Sequence, residues 1–79
     1  MTATEAARIK GQLREAQVTL LTISRRYDAI KQLHDAACFA GDGALAAGYR
    51  EELHGLLDAV LDTVAGAMAL SRQLISAGY

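Results

Sequence analysis

An all-α fold is the expectation for this chain: an antiparallel helical hairpin of two long helices, dimerising into a four-helix bundle. Three observations support it, namely a heptad register in each half, a single Gly41-Asp42-Gly43 break between the halves, and the complete absence of proline. In the first half Ile9, Leu13, Ala16, Leu20, Ile23, Tyr27, Ile30, His34 and Ala37 recur at steps of four and three, with His34 the one polar member. In the second half Ala46, Tyr49, Leu53, Leu56, Val60, Thr63, Ala67, Leu70, Leu74 and Ala77 keep the same period, with Thr63 the polar member. In heptad notation Leu13, Leu20, Tyr27 and His34 occupy a positions of the first helix; Ala46, Leu53, Val60, Ala67 and Leu74 occupy those of the second.

The first helix is predicted over residues 5–39. Thr2-Ala3-Thr4-Glu5 fits a capping box, in which the Thr2 hydroxyl accepts from the Glu5 amide and the Glu5 carboxylate reaches back. At 1.5 Å per residue such a helix is about 50 Å long, and Gly11 inside it costs about 1 kcal/mol. The turn is predicted at 40–43. Gly41 can take positive φ at the end of one helix, and Asp42 can cap the start of the next. A second helix follows over 44–77.

So short a connection leaves the helices adjacent and antiparallel, with residues equidistant from Asp42 side by side. That places Arg26 opposite Asp58, and Arg25 or Thr22 near Asp62, as surface pairs that bias register by about 0.2–1 kcal/mol each. Charge balance agrees with this pairing. Residues 5–39 carry six basic and four acidic side chains, while residues 45–77 carry two basic and four acidic ones. His34 in an a position is a candidate register-setting polar residue of the core, in the way a buried asparagine acts in a coiled coil.

The second helix carries more apolar surface than a hairpin can cover. Beside its first seam runs another, Leu57, Leu61, Val64, Met68 and Ile75, with Ser71 at the one polar step. The first helix adds only Val18, Leu21 and Leu33 before Arg25, Asp28 and Asp35 make its flank polar. Each large apolar side chain buried contributes about 1.5–3 kcal/mol, so the second seam calls for another chain. Small residues at Gly55, Ala59, Ala65, Gly66 and Ala69 would allow a helix to approach closely there.

A chain of 79 residues lies near the lower limit for a self-sufficient core, and its single cysteine, Cys38, excludes an internal disulfide. Oligomerisation is the remaining source of burial. The net charge of −1 gives no general field for nucleic acid. The basic residues of the first helix are interleaved with Glu15, Asp28 and Asp35, as on a solvated face. The start of the chain lacks the basic-then-apolar pattern of a signal peptide, and the longest charge-free run of the second half is Thr63–Ser71. Cytoplasmic location without membrane insertion is therefore expected.

Two constellations with chemical potential occur. Glu51 and His54 form the Glu-x-x-His pair that di-metal carboxylate bundles use, but they fall at f and b, and no inward glutamates complete a site; no cofactor is expected. His34 and Cys38 stand one turn apart without an evident third group, and Cys38 reads as a small buried apolar residue near the turn.

The segment Asp42-Gly43-Ala44-Leu45-Ala46-Ala47-Gly48-Tyr49-Arg50-Glu51-Glu52-Leu53 resembles the turn and second-helix start of type III secretion needle subunits, and the overall layout is similar to theirs and to that of needle co-chaperones. The resemblance implies export without a cleaved signal and assembly with further copies or with a needle protein. The turn prolines of that family are missing here. The residues themselves point to a non-enzymatic protein-interaction module. An adaptor, chaperone or inhibitor, including a phage-encoded antagonist of a host protein, would act through the second seam on itself and on a further protein partner. A structural needle subunit and a dimeric di-metal bundle are the alternatives.

Overall fold

The computed structural model describes residues 1–79 and consists of two helices, α1 (Ala3–Phe39) and α2 (Gly43–Ser76). They lie side by side as a hairpin measuring 57 × 15 × 12 Å. The length is that of one helix of 37 residues at 1.5 Å per residue, so both helices run nearly the whole length of the molecule.

The ends are defined by local chemistry. Thr2 is the N-cap of α1, its hydroxyl accepting from the Glu5 amide at 3.1 Å. Only this half of the capping box forms, and α1 begins at Ala3 rather than at residue 5. At the other end Gly41 has φ 75°, and the amides of Gly41 and Asp42 donate to the carbonyls of Cys38 and Ala37 at 3.1 and 3.0 Å. This is a complete Schellman closure, which needs a left-handed residue that glycine adopts without steric cost. Asp42 then caps α2, accepting from the Leu45 amide at 3.1 Å. A second Schellman closure, absent from the sequence-based expectation, ends α2 at Ser76. There Gly78 has φ 83°, and the amides of Gly78 and Tyr79 bond Ile75 and Leu74.

The paired heptads form the interface between the helices. Every α1 seam residue from Ile9 to Ala37 is buried or half-buried, as is every α2 seam residue from Ala46 to Leu74. Ala6 extends the α1 seam by one step, and Ala77, past the end of α2, is exposed. At the open end Ala6, Ile9 and Leu74 form a buried cluster against which Leu13 and Leu70 pack. The Lys10 ammonium lies 5.7 Å from the centre of the Tyr79 ring and closes that end by a cation–π contact. Thr63, the polar member of the α2 seam, donates its hydroxyl to the Ala59 carbonyl at 2.7 Å, so no unpaired polar group enters the interface.

The register differs in detail from the expected charge pairing. Arg26 donates to Glu52, at 2.5 Å, and not to Asp58. Arg26 and Glu52 both flank the seam at g positions, which face each other in an antiparallel pair, whereas Asp58 lies at f and points away. Arg25 and Asp62 form no ion pair either, and the Thr22 hydroxyl bonds the Val18 carbonyl of its own helix.

The hairpin leaves much of the chain uncovered. Seven of 79 residues are buried, and the accessible surface is 5573 Å². A compact monomer of 8.4 kDa exposes about 4,600 Å². The excess, on the order of 1,000 Å², is comparable to the roughly 800 Å² that each partner contributes to a standard protein interface.

Candidate functional site

The longest row of exposed large apolar side chains lies on one face of α2. Leu57, Leu61, Val64, Met68 and Ile75 are all exposed, from 38% for Val64 to 67% for Leu61 and 74% for Ile75. Their b and e positions make a row alongside the buried seam, about 27 Å long at helical rise. Leu21 lies on the same side of the hairpin from α1. Val18 and Leu33 are exposed on other sides of α1, and Phe39 stands almost fully in solvent at the turn. Apart from the helix's own backbone and chain neighbours, no atom lies within 4 Å of where a Cβ would stand on Gly55 or Gly66, so these two glycines are not used for close approach within the hairpin.

At the turn end of this face the helices enclose an open pocket of about 170 Å³. Lys31 and His34 of α1 and Arg50 and His54 of α2 supply its polar lining; Tyr27, Leu53 and Leu57 supply the rest. It is smaller than the roughly 300–1,000 Å³ of ordinary small-molecule sites. Leu57 belongs both to the pocket and to the exposed row.

His34, half-buried in its a position, directs both ring nitrogens along its own helix. Nδ1 lies 3.1 Å from Asp35 Oδ1, and Nε2 lies 3.6 Å from Cys38 Sγ. No hydrogen bond from His34 crosses to α2, so its seam position is one of packing. Asp35 also accepts from the Lys31 ammonium at 3.2 and 3.4 Å. The His34 contact first, and Lys31 second, hold its carboxyl below the ordinary aspartate value of 3.8. Asp35 thus supplies the third group that the His34–Cys38 spacing alone does not reveal. The signal was adjacency in sequence, but only a specific pair of rotamers makes it a contact. Cys38 is exposed, contrary to the buried reading, because its e position lies outside the narrow seam.

Glu51 is exposed at f, while His54 lines the pocket, so the Glu-x-x-His pair does not converge on one point. No group of three or more His, Cys, Asp or Glu side chains is arranged to hold a metal ion. By length and composition α2 is apolar enough to cross a membrane, and 6% of its most apolar 18-residue stretch is buried in the hairpin. No family model, curated protein or solved structure matches the chain.

Proposed function

We propose that the chain is a small non-enzymatic protein-interaction module that works through the second seam of α2. In the free protein the occupant is a second copy, giving a homodimeric four-helix bundle. As an adaptor, chaperone or inhibitor it would exchange that copy for an apolar helix of its target. The observation that carries this reading is the row Leu57, Leu61, Val64, Met68 and Ile75, exposed over about 27 Å at the four-three spacing that packs another helix. The excess surface, close to one partner's share of a standard interface, supports a second copy as occupant.

The apolar character of α2 raises a membrane reading. Asp58 and Asp62 fall within the helix, and an aspartate at the bilayer centre costs about 2.5–3.5 kcal/mol, which favours the protein partner. Size-exclusion chromatography with light scattering tests the proposal, with flotation on neutral vesicles as a second arm. A discrete dimer supports it. A stable monomer with no vesicle binding overturns it, vesicle-bound monomer transfers the role to a membrane, and open-ended assemblies favour a structural subunit built by heterologous contacts.

A further inference from the structure

We infer that the pocket at the turn end of the hairpin is an oxyanion-binding site, in which the Arg50 guanidinium, with Lys31 and His54, receives a carboxylate or phosphate group. The two edges of the helix pair differ in charge. On the g edge Arg26 meets Glu52 across the interface, as opposite charges. On the e edge Lys31 and Arg50, which line the same pocket from opposite helices, are both cationic. Like charges facing each other across a helix pair are destabilising, and of these two only Lys31 has a carboxylate partner, Asp35, which lies outside the lining.

Only one acidic group forms ion pairs with the pocket residues. Asp35 is already shared between Lys31 and His34, while Arg50 and His54 take part in none of the ion pairs of the molecule. Arg50 therefore retains its full fork of donors, which suits bidentate binding of a planar carboxylate or of two phosphate oxygens. Lys31 Nζ, held by Asp35, adds a positioned donor, and the Tyr27, Leu53 and Leu57 side chains complete the lining of this open pocket. A volume of about 170 Å³ accommodates one such group and little more. All its residues lie within one hairpin, and Leu57 is the one that it shares with the exposed row.

The test is a two-dimensional NMR titration of the full chain in low-salt buffer, with inorganic phosphate in one arm and a capped Glu-Glu dipeptide in the other. Saturable shifts confined to the neighbourhood of Tyr27, Lys31, Arg50 and His54 are expected. Arg50→Gln should weaken binding about tenfold or more, as for loss of a charged hydrogen bond, and Arg72→Gln, on the same helix but outside the pocket, should leave it unchanged. Phosphate should raise the melting temperature of the parent; Arg50→Glu, which places an acid opposite Lys31, should raise the melting temperature without ligand and remove that phosphate-dependent rise. Tighter binding of phosphate than of dipeptide assigns a free or esterified phosphate; equal or tighter dipeptide binding assigns the carboxylate of a partner chain. Shifts that are unsaturable, spread along both helices, or equally sensitive to Arg72→Gln overturn the site, as does an undiminished phosphate response in Arg50→Glu.

Discussion

Helices α1 and α2 contribute equally to the seam between them but differ in what lies behind it. Outside its seam α1 presents Arg25, Asp28, Lys31 and Asp35, and its three exposed large aliphatics, Val18, Leu21 and Leu33, fall on different sides. Outside its seam α2 presents an apolar row interrupted only at Ser71. A symmetric hairpin with two polar backs would be a finished object, if a marginal one. This one is finished on one helix only. In the proposed dimer this difference puts the contact with a second copy on α2, where that copy would add the area that the hairpin lacks.

The comparison is broken most severely at the shared seam. Ile30→Ala, at a position 3% exposed, should cost about 2–5 kcal/mol and largely unfold the chain, as read by far-UV circular dichroism and urea melts. A folded, little-changed variant would show that the buried seam is not what holds the hairpin. Next comes the exposed row. Leu61→Glu with Met68→Glu should leave a soluble, less stable monomer, abolish partner binding and remove any dependence of melting temperature on protein concentration. An unchanged oligomer in light scattering would place the interface elsewhere.

Smaller changes sharpen the contrast. Gly55→Ala and Gly66→Ala should each stabilise the protein by up to about 1 kcal/mol, because both lie within α2 with open space around them. Destabilisation, seen as a lowered melting temperature only at concentrations where the oligomer forms, would reveal a helix of another chain packed against them. Arg26→Ala should cost about 0.2–1 kcal/mol, the ordinary value for a pair this exposed, and a double-mutant cycle with Glu52→Ala reads the coupling directly. The smallest effect concerns acid. The Asp35 carboxyl is held below 3.8 in the folded state, so its contribution is present above that value and is lost as pH falls through the lower folded one. Asp35→Asn should therefore flatten the acid limb of the stability profile slightly below pH 3.8; an identical limb would show that its contacts with His34 and Lys31 contribute nothing in solution.

Most of the architecture was legible in the residues. Heptad spacing is a direct consequence of helical geometry, so the seam from Ile9 to Ala37 and its counterpart from Ala46 to Leu74 could be assigned before any coordinates. Gly41 and Asp42 likewise announce a cap and a restart, because few other residues satisfy those backbone conformations. Counting outward from the turn pairs Arg26 with Asp58, because it gives distance along the helix but not the direction in which a side chain leaves it. Glu52 rather than Asp58 lies on the facing edge.

The candidate surfaces divide in the same way. The apolar row of α2 follows from its own spacing, and the hairpin merely leaves it open. The pocket belongs to no single segment. Lys31 and Arg50 line one pocket only because the helices are antiparallel with a particular offset, and the triad of Asp35, His34 and Cys38 exists only for one set of rotamers. Periodicity is a one-dimensional property and is written in the chain. Juxtaposition across the interface depends on register and side-chain direction, which packing alone determines.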